Sequence, residues 1–300
     1  MQRDVEFDAD GVTLRGWLFT PDEGTGPFPT VIMAHGISCV KEMYLDDFAR
    51  VFAAAGLACV VYDNRCFGAS DGEPRQELDP WAQIRDYRNA CTFAETLEEV
   101  DNDRIGFWGV SYGGGNAIVA AALDRRCKCV VSLIPMVSGY RQFRRFLQPH
   151  LAPMIRAAFD GDRRARFAGA APQMIPLVAE RPFDPYVVLP QQESYDFFTS
   201  THAERAPAWR NELTLRSAEM ASEYEAGMFL DRVSPTPLQM IVMTNDLVTL
   251  ADDAIEFYAR ALEPKQLVLL PGNHYDAYRE SFDLTSAASR DWLVKHLIGT

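Results

Sequence analysis

One serine stands between an apolar run and a cluster of glycines in "RIGFWGVSYGGGNAIVAAALD", residues 104–124. Gly109-Val110-Ser111-Tyr112-Gly113 fits G-x-S-x-G, with a strand-like run before it and a helix-like run after it. In that setting a sharp turn lifts the serine hydroxyl above the edge of a sheet. Glycines at 109 and 113 suit a turn whose backbone approaches its neighbours too closely for a Cβ. The start of the helix also offers unpaired N–H groups and the positive end of a dipole to a developing anion. The competing reading is a plain strand-to-helix turn with a capping serine. A nucleotide site fits poorly, because the glycines do not form G-x-G-x-x-G and no acidic residue ends the next strand.

A serine hydroxyl is a weak nucleophile and needs a base within hydrogen-bond reach, itself oriented by a third group. In this topology the acid and then the histidine follow along the chain, each just past a later strand. Of the five histidines, His35 precedes the serine, His150 and His202 fall in a central irregular region, and His296 sits on the final amphipathic run. His274 alone follows a late strand in a turn, within "LLPGNHYDAY". Asp246 closes "LQMIVMTND", whereas Asp252 and Asp253 fall inside the next helix. The expected catalytic set is Ser111, Asp246 and His274. A surface turn for His274 and a helix cap for Asp246 are the bland alternatives. In "AHGISCVKEMY" the chain leaves a strand at His35-Gly36, so the backbone N–H of Ile37, paired with that of Tyr112, forms the expected oxyanion hole. Each such donor is typically worth about 3 kcal/mol in the transition state. His35 is expected to hold this loop. The chemistry calls for no metal and no cofactor.

These residues need a sheet whose strand ends gather at one rim. "DVEFDADGVTLRGWLFT" carries two alternating runs about Asp10-Gly11, a hairpin signal. "TVIMAHG" (30–36), "LACVVYD" (57–63), "RIGFWGV", "CKCVVSLIP" (127–135), "LQMIVMTND" (238–246) and "KQLVLLPG" (265–272) read as strands. Between them fall helical runs, among them one that stops at Gly56 and one that starts at Asp79-Pro80. The alternation predicts an α/β fold: a mostly parallel sheet with helices on both faces. Residues 140–230 break the rhythm and are expected to form an inserted helical cap over a core of 1–139 and 231–300. That insert holds eleven arginines and eleven acidic residues, so the whole charge excess of −13 lies outside it.

With 48 % apolar and 24 % charged residues among 300, the chain reads as globular. The net negative charge argues against nucleic acid, which needs Lys and Arg to displace counterions. No run is long and apolar enough to span a bilayer, and "MQRDVEFDAD" lacks the apolar core of a secretory signal; a cytoplasmic location without membrane attachment is expected. All six cysteines lie at or before residue 129 without metal-type spacing, and are expected to be reduced and buried.

Together, "AHGISCVKEMYLDDFARVFAAAGLACVVYDNRCFGASDGEPRQELDPWAQIRDYRNA" and "DNDRIGFWGVSYGGGNAIVAAALDRRCK" resemble the fungal polyketide transferases and acyltransferase-like thioesterases of the α/β-hydrolase superfamily. The resemblance runs over nearly the whole chain. It implies the α/β-hydrolase fold, with the nucleophile at Ser111, the acid at Asp246 and the base at His274. It implies release of a polyketide acyl chain from the thioester of an acyl carrier protein, through an acyl-serine, to water, another alcohol or the chain's own hydroxyl with lactone formation. Cys66 in "DNRCFGASDG" departs from the glycine such relatives usually carry, and the insert is the least family-like part.

Two other readings stand beside this one: a general intracellular carboxylesterase or lactone hydrolase acting on free small esters, and an inert hydrolase fold used for binding. If "YRQFRRF" (140–146) is helical, Arg141, Arg144 and Arg145 share roughly one face. Such a patch suits an acidic carrier protein, and a solvated, internally paired face is the plain alternative. Phe143 and Phe146 between them are expected to seal a core.

Overall fold

The computed structural model describes residues 1–180 and 187–299. Strands β1 (Gln2–Ala9) and β2 (Val12–Phe19) pair antiparallel. Asp10 and Gly11 turn the chain between them with φ of 54° and 82°, the two positive values that a two-residue hairpin turn demands. Strand β3 (Phe28–Ala34) leads to helix α1 (Leu45–Ala54), which Gly56 ends at φ 92°. Strand β4 (Ala58–Tyr62) follows, then helix α2 (Pro80–Ala94). Asp79 caps α2 by accepting from the N–H groups of Trp81 and Ala82, both at 3.0 Å.

Strand β5 (Val100–Val110) runs straight into Ser111 and helix α3 (Tyr112–Leu123), and strand β6 (Cys127–Leu133) returns beside it. Strands β3, β4 and β6 are almost wholly buried, as parallel strands covered on both faces must be. The central helix α3 is apolar all round, and only its last residue escapes burial.

After β6 the chain departs from the sheet. It forms helices α4 (Gly139–Phe146) and α5 (Ala152–Phe167), strand β7 (Met174–Ile175), helix α6 (Gln192–Glu204), strand β8 (Leu213–Thr214) and helices α7 (Leu215–Glu223) and α8 (Leu230–Val233). The segment is helical, as its composition suggests, but β7 and β8 pair antiparallel into a small ribbon that no alternation in the sequence announces. Residues 181–186 of the expected cap lie outside the described residues.

Strand β9 (Leu238–Met243), helix α9 (Ala251–Tyr258), strand β10 (Lys265–Leu270) and helix α10 (Phe282–Leu293) complete the core. The eight-stranded sheet runs β1-β2-β4-β3-β5-β6-β9-β10, parallel from β4 to β10. The chain ends of β3, β5, β6, β9 and β10 therefore open on one rim, where ligands of such sheets collect.

All six cysteines are free and buried, as expected. Cys66 holds φ 71°, a conformation glycine adopts without steric cost, which explains why glycine suits that position. Among the described residues no helix is long and apolar enough to cross a membrane.

Candidate active site

Ser111 occupies the turn between β5 and α3 at φ 59° and ψ −125°, backbone angles that side chains rarely adopt. The turn is pinned on several sides. Ser111 donates its N–H to Leu133 O at 2.8 Å, and its carbonyl accepts from Gly114, Gly115 and Met136 at 2.9, 3.2 and 3.0 Å. The flanking glycines are sterically required. A Cβ on Gly113 would stand 2.5 Å from the His35 carbonyl oxygen, and one on Gly109 would collide with the Gly113 carbonyl.

His274 and Asp246, 28 residues apart in the chain, meet at 2.7 Å through Nδ1 and Oδ2. The imidazole donates from Nδ1, which leaves the lone pair on Nε2. Asp246 Oδ1 accepts from the N–H groups of Val248 and Thr249 at 2.8 and 2.9 Å, and Oδ2 accepts the Thr249 hydroxyl as well at 2.8 Å. Burial pushes this carboxyl up, but the charge of His274 and the hydrogen bonds from His274 and Thr249 outweigh it, and the net shift is downward. Thr249 went unnoticed in the sequence; only its place three residues after Asp246, in reach of the carboxylate, hinted at it.

Ser111 and His274 line one small cavity of about 240 Å³ together with Gly36, Ile37, Cys39 and Phe197. Among the described residues no hydrogen bond joins Ser111 to His274, though both line this space, and such contacts commonly tighten only with substrate. Cys39 is no rival nucleophile, since burial pushes its thiol up to about 12 and keeps it protonated.

The loop after β3 presses on the serine. Ile37 and Tyr112 are neighbours of the two touching residues Gly36 and Ser111, and neither N–H has a backbone partner among the described residues. His35 holds this loop, as expected. It is fully buried, accepts the Asn64 N–H at Nε2 (3.0 Å), and its Nδ1 contacts Gly36 O at 2.9 Å. Burial lowers its affinity for a second proton, so it stays neutral. Beneath it Asp63 accepts from the Lys41 N–H and ammonium at 2.7 and 2.8 Å.

Helix α6 contributes Phe197 and Phe198 to the cavity lining. Phe197 stacks on Tyr275 with ring centres 4.3 Å apart, and the Tyr275 hydroxyl donates to Ser194 Oγ at 2.8 Å. Arg279, five residues beyond His274, donates to Ser200 and Thr201 on α6 at 2.9 Å each and to the Tyr44 hydroxyl at 2.8 Å. Half-buried Glu193 on the same helix has its carboxyl raised, burial being the main cause.

A second, larger cleft of about 910 Å³, counted to its open mouth, lies between α4, α5 and α7. Ile37 lines both spaces. Phe143 and Phe146 are partly buried and pack against the core, as expected, and they also line this cleft.

The arginines of α4 do not form an unpaired positive face. Arg141 pairs with Asp253 and Glu256 of α9 at 2.8 and 2.7 Å and lies over Phe257, and Arg145 pairs with Asp252 at 2.5 Å. Arg144 is exposed, and its recorded contacts among the described residues are with Tyr140: the hydroxyl at 3.2 Å and the ring centre at 5.7 Å. Nothing in the sequence links α4 to the acidic α9, more than a hundred residues further along the chain.

The sequence pattern of the X-Pro dipeptidyl-peptidase (S15 family) matches residues 10–276. A thiohydrolase of Eupenicillium brefeldianum is 34 % identical over 279 residues, 92 % of this chain and 88 % of its own length. The polyketide transferase claH of Penicillium crustosum is 31 % identical, over 90 % of this chain and 89 % of its own. The crystal structure of the α/β hydrolase GrgF from Penicillium sp. sh18 superposes with a TM-score of 0.85 at 26 % identity, covering 99 % of each chain. The sheet order, the rim it builds and these matches agree: this chain belongs to the S15 family of the α/β-hydrolase superfamily, is similar along nearly all its length to fungal thiohydrolases and polyketide transferases, and is an enzyme of the hydrolase or acyltransferase type.

Proposed function

We propose that this enzyme releases a polyketide acyl chain from the phosphopantetheine thioester of an acyl carrier protein through an acyl-serine. In this reading Ser111 is the nucleophile and His274 its base, with Asp246 orienting the imidazole. Nε2 takes the Ser111 proton as Oγ attacks the thioester carbonyl. The N–H groups of Ile37 and Tyr112 stabilise the anionic oxygen. Collapse expels the thiolate, which takes the proton from His274, and leaves the acyl-serine. His274 then deprotonates water, an alcohol or a hydroxyl on the chain itself, whose oxygen attacks the acyl carbon, and the proton passes from His274 to Ser111 Oγ as it leaves. An internal hydroxyl gives a lactone and gains from effective concentration.

The inserted segment acts as a cap that limits water. The carrier protein docks beside α4, with Arg144 as the cation free to meet an acidic partner. The catalytic roles are supported by the 2.7 Å Asp246–His274 contact and the shared cavity with Ser111. The long-chain substrate is supported above all by one observation: Ile37 lines both the large apolar cleft and the cavity that holds Ser111.

The test incubates the protein with a carrier-bound acyl thioester and with the matching free ester, and identifies products by mass. Release from the carrier, absent in Ser111→Ala, is expected. Turnover confined to simple esters would assign the enzyme to the esterases or lactone hydrolases instead.

A further inference from the structure

The large cleft is apolar almost throughout. Among the described residues, only Gln142, Gln148 and Ser222 of its lining side chains are polar. Gln148 is exposed, and Ser222 Oγ donates to the Glu219 carbonyl at 2.7 Å. Gln142 differs from both. It is only 9 % exposed, and its Oε1 has no hydrogen-bond partner among the described residues. Buried polar atoms are nearly always paired; the Gln142 side chain lines the cleft, so a group entering the cleft is a partner its amide can turn to meet.

The amide cannot swing away with its helix. Gln142 donates its N–H to the Ser138 carbonyl at 3.2 Å. Ser138 caps α4, accepting at Oγ from the Arg141 N–H at 3.1 Å and donating to Glu225 at 2.9 Å. Gly139 lies so near the Ala221 carbonyl of α7 that any side chain there would collide.

We propose that Gln142 is a specificity-determining residue whose amide receives a hydroxyl borne by the acyl chain, so that the cleft selects a hydroxylated chain over a plain alkyl chain of equal length. This rests on the reading of the cleft as the acyl-chain site. A hydroxyl suits the amide whichever way round it sits, donating to its oxygen or accepting from its nitrogen. A plain alkyl chain fills the same volume but strands the amide, and that penalty falls on the wrong substrate. One bond to a buried group of this kind corresponds to about tenfold in affinity.

The experiment measures binding by calorimetry to the Ser111→Ala variant, which keeps the chain uncut. The probes are the N-acetylcysteamine thioesters of decanoic acid and of its isomers hydroxylated at successive positions. One isomer is expected to bind about tenfold tighter than the unsubstituted chain. That preference should vanish on adding Gln142→Leu, or Gln142→Met where the leucine variant folds poorly. Equal binding of all the chains, a preference that survives both substitutions, or no binding of any chain overturns the proposal. Turnover of the same thioesters by the unaltered enzyme is read separately. Its absence would count against the acyl-transfer reading, while the binding comparison still judges Gln142.

Discussion

Gly36 and Ser111 are in contact: a Cβ on Gly36 would stand 3.2 Å from Ser111 Cβ and 3.6 Å from Oγ. Gly36→Ala must therefore move either the serine or the loop carrying the Ile37 N–H by a few tenths of an ångström. Small displacements at reacting groups are costly, so kcat is expected to fall by about ten- to a hundredfold. Circular dichroism and the thermal midpoint should show a folded protein. An unchanged kcat would mean that neither group needs its present position.

Ser111 itself carries backbone strain at φ 59°. Ser111→Gly should abolish turnover yet leave the protein as stable or more so, by up to about 1 kcal/mol, as strain relief competes with the greater freedom of unfolded glycine. Ser111→Ala should abolish turnover without that gain. Denaturant unfolding of the three proteins makes the comparison, and a glycine variant less stable than the alanine variant would contradict it.

Asp246→Asn removes the charge that steadies a protonated imidazole, and kcat is expected to drop by about 10³–10⁴. Stability gives a second readout. The folded carboxyl lies below its ordinary value of 3.8, so its contribution is full above that pH and is lost as pH falls through the lower folded value. Unfolding free energies at falling pH should show the unaltered protein losing ground relative to Asp246→Asn only below about pH 4.

The Thr249 hydroxyl bridges Asp246 Oδ2 and the Ile134 carbonyl at 2.8 and 3.0 Å. Thr249→Val keeps the shape and deletes the bridge. A loss of about 1–2 kcal/mol of stability is expected, with several-fold lower kcat. Calorimetry and steady-state kinetics check it. A valine variant that matches the parent in both would assign the positioning of Asp246 to the backbone N–H groups alone.

Reversal of exposed charge in Arg144→Glu/Arg145→Glu tests the docking face. Because Arg145 is paired with Asp252 at the surface, most of the effect should come from Arg144. kcat/KM on a carrier-bound substrate is expected to fall about tenfold at low salt, converging with the parent at high salt. A small thioester should be turned over as before. Equal kcat/KM on the carrier-bound substrate would remove the docking role.

The elements that carry Ser111, Asp246 and His274 were legible because local signals specify them. Glycines at 109 and 113 follow from backbone contacts within one turn, and the acid and histidine each follow a recognisable strand. Thr249 and Gln142 were not legible, since a threonine in a turn and a glutamine among aromatics acquire meaning only from what the fold brings near them. The pairing of Arg141 with Asp253 and Glu256 was hidden for the same reason: no periodicity links α4 to α9. Phe143 and Phe146 show the limit from the other side, as an apolar stripe reads alike whether it faces a packed core or an open cleft.

Arg279 and Tyr275 bind α6 to the very loop that presents His274. A segment that swung upward like a hinged lid would drag the imidazole with it or break three side-chain hydrogen bonds at once. If the acyl chain lies in the apolar cleft, as proposed, it would enter sideways along α4 and α7, with α6 held in place above the imidazole.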